Sequence, residues 1–152
     1  MEPLKGKRKI KVTEQRKKTD WAHFIKELVD EDYPHAKKIV LVMDNLNTHA
    51  GSSLYEAFAP AQAKRILDKL EIHYTPKHGS WLNIAEIEFS HLSRQCLDRR
   101  IPDRETFVCE VSAWNKQRNE ENAFVDWQFT TADARIKLKK LYPVLSNEGQ
   151  NL

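Results

Sequence analysis

The run Lys37-Lys38-Ile39-Val40-Leu41-Val42-Met43-Asp44 limits what this chain can fold into more than any other segment. Five consecutive apolar residues without polar alternation predict a strand buried on both faces, and such strands are central and usually parallel. Parallel strands need long crossovers, usually helical, and helical periodicity flanks this one. Trp21, Phe24, Ile25, Leu28 and Val29 recur at i, i+3, i+4, i+7 and i+8, one face of a helix with Thr19 as N-cap, Asp20 in the first turn and Pro34 as the stop. Downstream, Ser53 and Glu56 have capping-box spacing, Leu54 and Phe58 begin an apolar face, Pro60 interrupts, and residues Ala61 to Leu70 resume helical. Glu71 to Thr75 then predicts a short strand ended by Pro76.

Beyond the loop Lys77 to Ser80, the positions Leu82, Ala85, Phe89, Leu92 and Cys96 predict a long helix. Asp103 is expected to cap another, carrying Phe107, Val111 and Trp114, and Thr131 to Leu141 reads as the last, before a frayed tail from Ser146. At the other end, Arg8 to Glu14 alternates charged with apolar or β-branched residues, the pattern of a half-exposed strand. The order predicts a single α/β domain, but three strands are few for 152 residues. The sheet is expected to be incomplete.

Composition narrows the class. With 40% hydrophobic and 31% charged residues the chain is neither disordered nor fibrous. An apolar run of five residues is far below the roughly 20 needed to cross a bilayer, and no apolar segment follows the basic residues near Met1. A soluble, cytoplasmic protein without membrane partners is expected. Cys96 and Cys109 form no cluster and read as packing residues. The net charge of +3 is unevenly placed: residues 1–20 carry eight Lys/Arg against three acids, net +5, which leaves −2 for the remaining 132. Charge alone leaves two readings of Lys7, Arg8, Lys9, Lys11, Arg16, Lys17 and Lys18 open, an edge strand guarded by cations or an arm that tracks phosphates.

Asp44 ends the buried strand and opens the polar loop Asn45-Leu46-Asn47-Thr48-His49. Ligands of open α/β sheets sit outside the carboxyl ends of strands, so its carboxylate can meet a metal or substrate, or it can simply form an Asx-turn. Glu86 lies at the border of the buried face of its helix, where a solvated role is equally ordinary, and Glu88 falls roughly 200° away at about 100° per residue. Two carboxylates suggest a hard cation, Mg²⁺ or Mn²⁺, of the kind that cleaves phosphodiesters in pairs. Two acids rarely suffice for a pair. Trp81 can stack on a base or plug the start of its helix. Zinc, nucleophile-elbow and phosphate-loop signatures lack their residues.

Val42-Met43-Asp44-Asn45 with His49, then Tyr74-Thr75-Pro76, then Gly79-Ser80-Trp81-Leu82-Asn83-Ile84-Ala85-Glu86 resembles the catalytic half of DDE-type transposases of the insertion-sequence-630 and mariner superfamily. The likeness runs from Lys9 to Leu141, including Arg94 to Pro102 after the glutamate helix. It implies an RNase H-like fold and a metal-dependent endonuclease and strand transferase for DNA transposition and integration, acting on transposon ends and target DNA. By the same resemblance Asp44 is the second and Glu86 the third catalytic and metal-binding acid, for a pair of Mg²⁺ or Mn²⁺ ions in the full-length parent. Asn45, His49 and Asn83 support them, and Lys77, His78 and Trp81 join the basic arm against DNA.

The family's first acid lies on a strand before the one read at Arg8 to Glu14. The chain is therefore expected to be a truncated catalytic domain over residues 1–145, lacking two strands, one acid and the helix-turn-helix region, with a tail over 146–152, and to be catalytically defective alone. Two other readings stay open: a non-catalytic DNA-binding or transposase-interacting module, and a fragment without selected function whose exposed strand edge promotes oligomerisation.

Overall fold

The computed structural model describes residues 1–75, 84–124, 126, 128 and 130–137. Its first helix, α1 (Lys18–Glu27), starts earlier than the sequence suggests: Lys17 is the N-cap, and its amide donates to the Asp20 carboxylate at 2.8 Å. Thr19 thus lies inside the helix. A π-turn over Leu28–Asp32 ends it ahead of Pro34. β1 (Ile39–Met43), α2 (Ser52–Ala57), α3 (Pro60–Asp68) and β2 (Leu70–Tyr74) follow. Pro60 occupies the first turn of α3, where its missing N–H costs no helical bond. The expected capping box at Ser53 does not form, because Ser53 is already helical and its hydroxyl donates to the Thr48 carbonyl at 3.0 Å.

β1 and β2 pair in parallel, Ile39 opposite Leu70 and Met43 opposite Tyr74. The helical connection through α2 and α3 is what a parallel pair requires. Ala22, Ile25, Val29, Leu54, Ala63, Ile66 and Leu70 form the first core beneath this sheet, joined by Ile39, Leu41 and Ile72. The opposite face is open, with Val40 62% and Val42 56% exposed, so the expectation of a strand buried on both faces is corrected. Its register also leaves an edge open. Ile39 N–H donates to Lys69 and Met43 C=O accepts from Thr75, so the peptide groups of Val40 and Val42 point the other way, where no strand lies among the described residues.

The Arg8 to Glu14 strand is a second correction. The segment has strand-like alternation of side chains, but it pairs with neither strand, and the sheet among the described residues has two strands rather than three. Its alternate side chains serve two partners instead. Ile10 and Val12 enter a second core made by Leu92, Cys96, Val111 and Trp114, which belong to α4 (Ile84–Gln95), the residue just after it, and α5 (Arg104–Glu120). Before it, a short turn over Pro3–Lys5 closes on Gly6, whose φ of +60° and contact with the backbone around Ala123 both exclude a side chain.

Asp103 caps α5 as expected, accepting from the Thr106 amide at 2.8 Å, and that bond holds its carboxyl below the usual range. Helix α4 is rotated from its predicted facing: Leu92 is buried, but Phe89 is 57% exposed while Glu88 is buried. Apolar periodicity places Phe89 inward because it carries no sign of the buried cation opposite Glu88. Cys96 packs inside, whereas Cys109 is exposed, against its reading as a packing residue. The last helix, α6, is described over Thr131–Lys137. The remainder of its predicted span, Trp127 and the tail lie outside the described residues. No helix among those described is long and apolar enough to cross a membrane.

Candidate active site

Asp44 follows the last residue of β1, at the carboxyl end of the parallel pair. Its side chain is about a third exposed, and its Oδ1 lies 2.5 Å from Nδ1 of His49. The loop between them is closed by the His49 amide donating to the Leu46 carbonyl at 2.8 Å. Two further residues hold His49. Tyr74, at the end of β2, donates its hydroxyl to the His49 carbonyl at 3.2 Å, and Trp21 of α1 stacks on the imidazole at 6.1 Å between centroids. Strand, loop, helix and neighbouring strand thus fix one carboxylate oxygen by an imidazole, the kind of outer-shell partner that orients metal-binding groups. Sequence reasoning missed Tyr74 and Trp21 here. The place of Tyr74 at the end of the second parallel strand was the available signal, and the helical period of Trp21 marks it only as a core residue.

Asn45 is exposed beside Asp44. Glu86 is exposed in the first turn of α4, where the helix dipole favours a carboxylate. No ion pair engages Glu86 among the described residues, and none of those residues gather into a cluster of three or more His, Cys, Asp or Glu groups that could hold a metal. The donor chemistry nevertheless fits a hard cation: two carboxylates at element ends, one oriented by an imidazole. Asn83, Lys77, His78 and Trp81 lie outside the described residues.

The basic arm divides by partner. Arg8 is 4% exposed; its Nε lies 2.9 Å from Glu88, its Nη1 donates to the Arg118 carbonyl at 2.6 Å and its Nη2 donates to the Ala123 carbonyl. A guanidinium so enclosed has no face left for phosphate, and its reading as a DNA contact is corrected on that ground. Lys7 lies 5.8 Å over the Tyr33 ring. Lys9 pairs with Asp32 at 2.7 Å, Lys11 with Glu27, and Lys18 with Glu56 at 2.6 Å. Arg16 and Lys17 are exposed and carry no ion pair among the described residues.

These pairs give the fold an acid limit. The Lys11 ammonium beside Glu27 holds that carboxyl below the ordinary range, and the Arg65 fork, with Lys26, does the same for Asp30. Groups whose folded pKa is depressed stabilise fully above their unfolded value, and the contribution is lost as pH falls through the folded one. Stability is therefore expected to fall below about pH 4, the usual carboxylate range. In melting curves taken between pH 6 and 2.5, Glu27→Gln is expected to be less stable than the parent at pH 6 and to converge on it in acid. A constant gap across that range would show that Glu27 contributes nothing through its charge.

One acid thus stands at the carboxyl end of a parallel pair and a second in the first turn of a helix. Residues 1–108 match the family model described as DDE superfamily endonuclease. The match covers Asp44, His49 and Glu86 and more than half of the chain, and the chain belongs to that family. Endonuclease domains of this superfamily act on DNA and generally use divalent metal ions. No curated protein and no solved structure matches it.

Proposed function

We propose that this chain is part of an RNase H-like catalytic domain, spanning residues 1–145, that cleaves and joins DNA strands in transposition of the insertion-sequence-630 and mariner type. The observation that carries the reading is the oriented carboxylate of Asp44 at the end of β1, with His49 on one oxygen, in a chain of this endonuclease family. Asp44 and Glu86 would hold Mg²⁺ or Mn²⁺, with Asn45, His49 and Asn83 supporting them. Such ions, when bound, activate a water or 3′-hydroxyl and stabilise the leaving oxygen.

A third acid has to come from elsewhere. Asp20 accepts from the Lys17 amide, Asp30 is held by Arg65 and Lys26, and Asp32 by Lys9. A strand laid on the open edge of β1 would bring an acid beside Asp44, so the 152 residues by themselves are proposed to be defective. The test is Mn²⁺-dependent nicking of supercoiled plasmid. Residues 1–152 are expected to show less than about 1% of the rate of a version extended upstream, the shortfall of at least 100-fold being what loss of a directly coordinating group implies when outer-shell losses alone cost 10–100-fold. Equal rates would overturn the need for a third acid. DNA contact is assigned to Arg16 and Lys17, with Lys77, His78 and Trp81 as further candidates.

A second reading has its own observation. The open edge at Val40 and Val42 is a template for strand pairing, which favours assembly with a second copy or with intact transposase, and a modulating rather than catalytic role. Light scattering across a wide concentration range is expected to show self-association that Val42→Lys reduces. A monomer at every concentration would count against it.

A further inference from the structure

We infer that the extended segment Lys7 to Val12 is a strap that sets the position of helix α4, and with it Glu86, relative to β1 and Asp44, and that Arg8 is its positioning residue. The inference rests on the reading of Asp44 and Glu86 as ligands of the same cation. Those two acids belong to different halves of the protein. Asp44 ends a strand of the first core, whereas Glu86 opens a helix of the second, and the two cores have no buried residue in common.

Among the described residues, side chains of the strap reach both. Its odd-numbered residues face the first half: Lys7 lies over Tyr33, Lys9 on Asp32 and Glu27, and Lys11 on Glu27. Its even-numbered residues face the second half: Arg8 meets Glu88 and the end of α5, and Ile10 and Val12 enter the core of Leu92 and Trp114. This is strand alternation used between two helical layers instead of in a sheet. Arg8 carries hydrogen bonds and an ion pair from residues 1–75 across to residues 84–137.

Arg8 engages three groups at once. Its backbone exchanges two hydrogen bonds with the Asn119 amide, N–H to Oδ1 at 2.8 Å and Nδ2–H to its carbonyl at 2.9 Å. Its guanidinium donates to carbonyls at the C-terminal end of α5, where a cation is favoured. Its Nε faces Glu88 in a pair whose side chains are 2% and 9% exposed, with Arg118 3.5 Å from the other carboxylate oxygen. Glu88 and Glu86 lie roughly 200° apart around one helix. Drawing Glu88 inward therefore turns Glu86 outward, and a guanidinium faces Glu88 through Nε while its two Nη groups hold the carbonyls, which a single ammonium cannot do.

The consequence is separable from mere stability. If the strap loosens, both acids survive but their separation spreads, and a cation site needs its ligands held within about 0.5 Å. The experiment places spin labels on Asn47→Cys and Ser90→Cys, both exposed positions, in a Cys109→Ser background, and reads the distance distribution in the full chain. Mn²⁺ affinity is measured in parallel on unlabelled protein. In Arg8→Gln and in Glu88→Gln, at unchanged helical signal, the distribution is expected to at least double in width and Mn²⁺ affinity to drop about tenfold, with Arg8→Lys intermediate. If either variant loses its helical signal, Asn119→Ala, which frees the strap backbone and removes only a long 3.5 Å contact to the guanidinium, is judged by the same widths. An unchanged width in a folded variant overturns the strap. Unchanged Mn²⁺ affinity in Asp44→Asn overturns the shared-cation reading instead, and the widths still decide the strap.

Discussion

Replacing Arg8 with Met is expected to destabilise the protein by about 3–5 kcal/mol, the usual cost of removing one partner of a buried ion pair. Most of that loss comes from what remains. Glu88 would stay buried with Arg118 at 3.5 Å as its nearest cation, and the carbonyls of Arg118 and Ala123 would lose their donor. The double variant Arg8→Met/Glu88→Leu is therefore expected to recover a large part of the loss, because an apolar pair of similar volume leaves no buried carboxylate without its cation, and Arg118, which loses Glu88, is partly exposed. Urea unfolding of the two variants decides it. Equal losses would mean that the Arg8 contacts to α5, and not the ion pair, dominate.

The second large effect is catalytic. On the proposed reading, Asp44→Asn in a version extended upstream is expected to lower Mn²⁺-dependent DNA nicking by at least about 100-fold, because it would remove a directly coordinating oxygen, a greater loss than the 10–100-fold typical of outer-shell partners. His49→Ala falls in that lower range: it deletes the imidazole 2.5 Å from Asp44 and leaves the carboxylate in place. The two losses should combine to less than their product, since His49 acts through Asp44. If His49→Ala were as damaging as Asp44→Asn, the imidazole would have a role of its own in the reaction.

Local pattern revealed the elements but not their layers. The strand at Ile39–Met43, the break at Pro60 and the cap at Asp103 were legible because each follows from short-range chemistry: apolar run, missing amide, side-chain acceptor. The Asp44 loop was legible through its motif, although Tyr74 and Trp21, which hold His49, come from distant elements and leave no local mark. The basic arm misled for a physical reason. A run of alternating Lys and Arg looks the same whether its partners are phosphates or the protein's own Glu27, Asp32 and Glu88. The alternation at Lys7 to Val12 was real; it serves two layers of the fold rather than a sheet and solvent.

Phe89 was expected inward and lies outward, with Glu88 buried beside it, for the same reason. Burial of a glutamate is unfavourable until a cation is brought to it, and that cation stands 80 residues earlier in the chain. No window of helical periodicity contains both.

The most direct measurement is a Mn²⁺ titration, followed by the electron resonance of the free ion, on the parent chain and on Asp44→Asn and Glu86→Gln at constant fold. If the two acids share a cation, each substitution lowers affinity about tenfold and the double variant adds little to either. Unchanged affinity in Glu86→Gln beside a loss in Asp44→Asn would contradict the account, because the helix carboxylate would then not belong to the site at the end of β1.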